Sequence, residues 1–171
     1  MQDKARGFTL AEVLVALFVL AIGIVGAGAT QLTAERTRQQ SALMSEAARL
    51  ADSLAARMQV NPAVASLPDG ANPYLALSYD AASGPPAAGA GCFAGDCTPL
   101  QLAEFDLYEI RQAVHAQFPR GRIAVCRDGA PWDGAAGRLR WSCDGNANAV
   151  PVVKLGWQGT GDAPGYVGVL R

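Results

Sequence analysis

Apolar residues run almost without interruption over residues 8–29, and the pattern beyond them is that of an ordinary soluble domain. Glu12 is the only charged residue within this run. A helix needs about 20 apolar residues to cross the hydrocarbon core of a bilayer. The pattern therefore predicts a transmembrane helix over residues 8–29.

A second helical pattern continues from the apolar run to residue 60. Its apolar residues recur at spacings of three or four, which places them on one helix face: Leu43, Ala47, Leu50, Leu54 and Met58. Charged residues are available for the face turned to solvent: Arg36, Arg38, Glu46, Arg49, Asp52 and Arg57. The helix is expected to end before Pro62, because a residue that precedes proline disfavours helical geometry. One long helix is therefore predicted from Phe8 to Val60, with residues 30–60 amphipathic.

Residues 61–171 are predicted to form a globular head. Its first part, up to residue 91, has the composition of a loop, and residues 81–91 are especially rich in Pro and Gly. A second helix is expected to follow Thr98, which is suited to a cap and is followed by Pro99 at the first helical position. Gln101 takes the capping-box position. Pro119 is expected to close this helix.

Four strands are predicted in the rest of the head, at residues 122–127, 139–143, 150–157 and 166–170. They contain apolar and β-branched residues and are separated by turn-forming Asp-Gly and Gly-containing segments. Consecutive strands with short connections favour an antiparallel sheet. The expected fold is α+β: a long N-terminal helix, transmembrane and then amphipathic, packed on a small head with a second helix and an antiparallel β-sheet.

All four cysteines of the chain lie in the head. An even number of cysteines beyond a membrane segment favours disulfides in an oxidising compartment. Three connectivities are open to four cysteines, and we favour Cys92–Cys97 and Cys126–Cys143 because each closes a local loop. The second would join the first two predicted strands. A zinc site built from all four is the alternative, disfavoured because only one pair has the close spacing that structural zinc requires.

The composition gives little support for catalysis or for nucleic-acid binding. The net charge is -1 and the arginines are scattered, so no basic patch indicates a nucleic acid. His115 is the only histidine, and a lone helical histidine usually has a packing or surface role. Asp106 and Glu109 could align two carboxylates, but an exposed acidic face or a local pair with Arg111 is the simpler expectation. We therefore expect a protein that is not an enzyme and needs no cofactor or metal.

The start of the apolar run carries the most informative motif of the chain, Gly7-Phe8-Thr9-Leu10-Ala11-Glu12-Val13. It resembles the prepilin-peptidase site of type IV pilins and of type II secretion pseudopilins. The resemblance implies that residues 1–7 are a cleavable leader, made basic by Lys4 and Arg6. It also implies that prepilin peptidase cuts between Gly7 and Phe8 and methylates the new amino terminus of Phe8.

Glu12 becomes the fifth residue of the mature chain under this resemblance, which is the acidic position of the family. A charged group near the bilayer core costs about 2.5–3.5 kcal/mol on insertion scales and is usually functional. In the family this carboxylate pairs with the N-terminal amine of a neighbouring subunit, so the resemblance implies an assembly role for Glu12. Ala11 departs from the pattern, since many members have Ile or Val there, but it keeps the segment apolar.

Further segments resemble the PilV family of minor pilins, the type IV pilus modification proteins. They lie at residues 14–23, 97–109, 125–128, 143–145 and 152–157. This resemblance implies a low-copy pilin that co-assembles with other minor pilins and the major pilin and primes pilus assembly at the inner membrane. It also implies a periplasmic head on a single membrane span, a final position at the pilus tip beneath an adhesin, and a part in twitching motility and cell adhesion.

Three other interpretations remain open at this stage. A minor pseudopilin of a type II secretion system would share every N-terminal feature. A signal-anchored periplasmic domain would keep the bond between Gly7 and Phe8 intact. A secretory signal peptide would be cut after the apolar run, where Ala27-Gly28-Ala29 has the small-residue pattern of a cleavage site.

Overall fold

The computed structural model describes Gly7, residues 9–89, 91–92 and 96–171, with only the backbone of Ala29. The leader charges Lys4 and Arg6, and the predicted first mature residue Phe8, lie outside the described residues. Two compact units divide the chain, with the boundary between Ala42 and Leu43.

Helix α1 (Leu10–Val60) accounts for the regular structure of the first unit and continues into the second. It begins two residues later than predicted, because Thr9 takes the position just before the helix. Its last residue is the predicted one. The backbone of Asn61 leaves helical geometry, with φ -117° and ψ 61°, and Pro62 follows it.

Two further helices belong to the second unit, the short α2 (Pro62–Ala65) and α3 (Pro99–Gln117). The capping box predicted before α3 is confirmed. The backbone N–H of Gln101 donates to Thr98 Oγ1 at 3.3 Å, and Gln101 Oε1 accepts from the backbone N–H of Thr98 at 2.9 Å. These bonds satisfy donors that the first turn of a helix otherwise leaves without partners.

The head contains a four-stranded antiparallel sheet in the order β1-β2-β5-β6 and a separate two-stranded hairpin, β3-β4. The strands are β1 (Ser78–Asp80), β2 (Arg122–Arg127), β3 (Trp132–Asp133), β4 (Arg138–Leu139), β5 (Pro151–Gly156) and β6 (Tyr166–Val169). A long apolar helix followed by a small antiparallel head confirms the predicted α+β class.

The core of the head lies between the sheet, α3 and the part of α1 that belongs to the second unit. Helix α1 contributes Ala47, Leu50 and Leu54, three residues of its predicted apolar face. Aliphatic side chains from α3 and the sheet belong to the same cluster, as do Tyr74, Phe118 and Trp157. Burial of such side chains is the main favourable term for folding this unit.

The strand predicted at residues 139–143 is wrong. Only Arg138 and Leu139 pair in a strand, and the three carbonyls that follow point at the ammonium group of Lys154 on β5. Lys154 Nζ donates to the carbonyl oxygens of Arg140 at 3.0 Å and Ser142 at 2.7 Å, and that of Trp141 lies at 3.5 Å. Because these carbonyls accept hydrogen bonds from the ammonium group, they are not available to pair with a neighbouring strand.

The fourth partner of this ammonium group is Asp128, which follows β2. The Nζ···Oδ2 distance is 2.5 Å, and both side chains are completely buried. Burial alone would raise the pKa of Asp128, but hydrogen bonds from Lys154 and from the backbone N–H of Ala130 outweigh it and lower the pKa. We call Lys154, Asp128 and the three carbonyls of residues 140–142 the lysine cage.

Cys126 and Cys143 form a disulfide that ends the segment held by the lysine cage, with the two Cα atoms 6.4 Å apart. It does not join two neighbouring strands as predicted, because Cys143 lies in the loop after β4. Cys92 and Cys97 form the second disulfide, just before α3, with a Cα–Cα distance of 6.0 Å. The four cysteines are therefore occupied by disulfides rather than available as zinc ligands.

Helix α1 is tied to α3 by an ion-pair network that the sequence did not indicate. Arg57, predicted to face solvent, donates from Nη1 to Asp106 Oδ1 at 2.7 Å and to Glu109 Oε2 at 2.6 Å. Asp106 is buried and accepts from the hydroxyl of Tyr74 at 2.8 Å. The local pairing of the two carboxylates with Arg111 is therefore wrong, as is the exposed acidic face, since a residue on α1 is their partner.

Tyr74 gives this network a measurable pH dependence. Burial and the hydrogen bond with Asp106 raise its pKa from the ordinary 10.0 to about 12. The folded state thus keeps the phenolic proton better than the unfolded state, so this stabilisation is complete below pH 10.0 and is lost as the pH rises through about 12.

We expect the free energy of unfolding to fall across that alkaline window in the wild-type protein and to fall less in a Tyr74→Phe variant, which has no phenol to ionise. Urea unfolding of the full chain in detergent, at a series of pH values, measures both curves. Equal slopes for the two proteins would rule out this role of Tyr74.

Candidate processing and assembly site

The residues around the predicted cleavage point form an exposed start to α1. Gly7 is exposed, and a Cβ added to it would meet no atom within 4 Å. The glycine is therefore not enclosed by other described residues. Phe8, on the other side of the predicted cleavage bond, lies outside the described residues.

Thr9 and Glu12 form a reciprocal pair at the first turn of α1. Glu12 Oε2 accepts from the backbone N–H of Thr9 at 2.8 Å and from its hydroxyl at 2.9 Å. Thr9 Oγ1 in turn accepts from the backbone N–H of Glu12 at 3.3 Å. This is a capping box, in which an anionic side chain also lies favourably at the positive end of the helix dipole.

Sequence reasoning missed Thr9 as a functional partner of Glu12, although a signal for it was present. The spacing Thr9-Leu10-Ala11-Glu12 is the same capping-box pattern that located the start of α3. The charged residue that is predicted to act in assembly is therefore observed to fix the start of the helix.

The surface of α1 in the first unit is apolar and open to its surroundings. Among the described residues, its large apolar side chains are exposed from Leu10 to Leu32, with Val25 at 74%. Helix α1 is long and apolar enough to cross a membrane, with a mean hydropathy of 2.6 over its most apolar 18 residues. A water-soluble surface rarely carries so large an apolar patch, so this face needs a lipid or protein environment.

Gly23, Gly26 and Gly28 lie within this exposed stretch. A Cβ at any of them would meet no atom within 4 Å, so no packing inside this chain requires a glycine there. Each glycine costs a helix interior about 1 kcal/mol relative to alanine. Small residues at helix surfaces in membranes allow a neighbouring helix to approach closely.

The comparison with family models finds a match at the N-terminal end of the chain, where the candidate processing site lies. The model of the prokaryotic N-terminal methylation motif matches residues 2–28. The N-terminus therefore carries a methylation motif of the type IV pilin-like kind. No curated protein and no solved structure matches this chain significantly.

The pilin-like N-terminus and the fold agree with each other. A long apolar helix followed by a small antiparallel head is consistent with the type IV pilin fold. The motif indicates a pilin or a pseudopilin, processing by prepilin peptidase and assembly with other pilins. Together with the apolar part of α1, it indicates anchoring in a membrane.

Proposed function

We propose that this chain is a minor type IV pilin of the PilV kind, which co-assembles with other minor pilins and the major pilin to prime pilus assembly at the inner membrane. In this role the protein is structural, and prepilin peptidase acts on it by cutting between Gly7 and Phe8. The single observation that carries the proposal is the methylation motif at the start of a long, exposed apolar helix.

The N-terminal helix supports assembly rather than simple anchoring. The capping box accounts for the hydrogen bonds of Glu12 but not for its charge, because a neutral glutamine could accept the same bond from Thr9, and a charge beside a membrane span is costly and usually functional. No packing within this chain requires the three glycines, whereas packing against helices of other subunits supplies a reason for them. Both features favour a segment built to contact other protein helices.

Two features of the head support the minor-pilin part of the proposal: its disulfides, and the resemblance of several of its sequence segments to the PilV family. Two disulfides fit a head that folds in the oxidising periplasm. A head of this kind at a pilus tip, beneath an adhesin, would connect the protein to twitching motility and cell adhesion. The remaining choice is between a pilus and a type II secretion pseudopilus, which share the N-terminal motif.

N-terminal mass spectrometry of the membrane-extracted protein tests the processing step. We expect a chain that begins at Phe8 and carries one methyl group in cells with prepilin peptidase, and an intact Met1 end in cells without it. Gly7→Leu should give the intact form in both, because it alters the residue on which the peptidase acts. Ala5→Leu is the matched control inside the leader and should be processed normally.

Other termini would contradict the proposal in distinct ways. A start near Thr30 would identify an ordinary secretory signal, and an uncut chain in peptidase-positive cells would identify a signal anchor. Processing followed by recovery in sheared pili supports the minor-pilin role. Processing with a secretion defect and no recovery in pili would assign the protein to a pseudopilus instead.

A further inference from the structure

A cleft on the head combines two free arginines with hydrogen-bond acceptors. It has a volume of about 420 Å³, and its lining includes Arg120, Arg122, Trp141, Thr160, Asp80 and Asp162. This volume lies within the range of about 300–1,000 Å³ found for small-ligand sites. We call it the two-arginine cleft.

Arg122 is held in place by stacking rather than by an ion pair. Its Cζ lies 4.3 Å from the centroid of the Trp141 ring. Trp141 is itself fixed against β5, where a Cβ on Gly156 would come within 2.8 Å of the indole. A stacked guanidinium keeps its edge N–H groups free, and those groups match the two oxygens of a carboxylate.

Arg120 adds a second guanidinium group under a backbone constraint. Its φ of 53° is the one positive φ of a non-glycine residue among the described residues. Glycine would adopt this conformation at lower cost, so an arginine occupies this position against a local backbone preference. Within the same described part of the chain, neither Arg120 nor Arg122 forms an ion pair with a carboxylate.

The walls of the cleft are joined to each other. The backbone N–H of Gln158 donates to the carbonyl of Pro119 at 2.7 Å, which links the loop after β5 to the turn that carries Arg120. The hydroxyl of Thr160 donates to the carbonyl of Trp157 at 2.9 Å and closes the same loop. The cleft is therefore formed before any ligand binds, which lowers the ordering cost of binding.

The charges of the cleft select a ligand with two kinds of group. The two guanidinium groups attract an anionic group. The carboxylates of Asp80 and Asp162 accept hydrogen bonds from neutral donors and repel any further anionic group on the ligand. A uronic acid carries a carboxylate and neighbouring hydroxyl donors on one ring. We propose that the two-arginine cleft binds an acidic saccharide through its carboxylate and hydroxyl groups, whether or not the chain assembles into pili.

An NMR titration of the full chain in a sugar-free detergent tests this proposal, with D-galacturonic acid as the probe and D-galactose as its neutral counterpart. We expect the uronate to bind about tenfold more tightly or better, because only the acid can form the charge-assisted pair. Equal binding of the two sugars, or no binding of either, would overturn the proposal. Tighter binding of the acidic dipeptide N-acetyl-Glu-Glu would overturn it in favour of a protein ligand.

Three variants locate the site. Arg122→Gln and Arg120→Gly should each weaken uronate binding about tenfold, and glycine suits the positive φ at 120, so loss of binding there cannot be ascribed to unfolding. Arg138→Gln removes the same charge from an exposed position on β4 and should bind like the wild type. An equal loss in Arg138→Gln, or full binding by Arg120→Gly, contradicts the assignment.

Discussion

Replacement of Glu12 by glutamine or valine is expected to leave the chain cut, methylated and anchored in the membrane but strongly depleted from filaments. The proposed partner of the carboxylate is the N-terminal amine of a neighbouring subunit. Removing one member of a desolvated charge pair costs about 2–5 kcal/mol, and each 1.4 kcal/mol is about tenfold in an equilibrium constant. The amount recovered in sheared filaments should therefore fall at least about tenfold relative to the membrane-bound pool.

The capping box of Thr9 and Glu12 allows the two roles of the carboxylate to be separated. Glutamine at residue 12 can still bond the backbone N–H of Thr9, so Glu12→Gln keeps the cap and loses the charge. Thr9→Val does the opposite and should cost about 1 kcal/mol of helix stability. If Thr9→Val abolishes incorporation while Glu12→Gln preserves it, Glu12 acts as a helix cap and the intermolecular pair is wrong.

Replacement of Lys154 by methionine is expected to destabilise the head by about 3–5 kcal/mol, the range for breaking a buried ion pair by removing one partner. The change leaves the fully buried Asp128 without its ammonium partner. It also removes the hydrogen-bond donor of the three carbonyls of residues 140–142. Denaturant unfolding of the full chain in detergent, followed by the fluorescence of the tryptophans, measures the loss.

Two further variants make the Lys154 prediction specific. Arg138→Met removes a positive charge from an exposed residue and should change stability by less than about 0.5 kcal/mol. The double variant Lys154→Met with Asp128→Leu removes both charges and should recover part of the loss, since replacing a whole buried pair by apolar groups is far less costly. A loss for Lys154→Met no larger than that for Arg138→Met would mean that the lysine cage does not stabilise the head.

Sequence patterns predicted the elements that are determined by interactions between residues close in sequence. The apolar run and the spacing of three and four located α1 up to Val60, and the capping box located α3. Strands β2, β5 and β6 were also predicted, to within one residue at each end. In contrast, β1 has three residues, two of them polar, and its pairing with β2 gives no periodic signal.

Two further differences involve partners that are distant in sequence. Arg57 pairs with residues 49 and 52 positions away, so no helical spacing indicates it. The segment after β4 has the composition of a strand, but Lys154 captures its carbonyls from 12 to 14 residues away. At the candidate site, the resemblance identified Gly7, Phe8 and Glu12, whose roles remain predictions. The cap formed by Thr9 has a capping-box spacing in the sequence but was recognised from the structure.

The lysine cage also determines how the protein responds to amine-directed chemistry. The chain has two lysines, Lys4 in the leader and the completely buried Lys154. If the leader is removed, the folded chain offers such reagents only its methylated N-terminus. Ester labels and amine cross-linkers should therefore leave the native head unmodified. The fraction of molecules acylated at Lys154 would measure the fraction in which the lysine cage has opened.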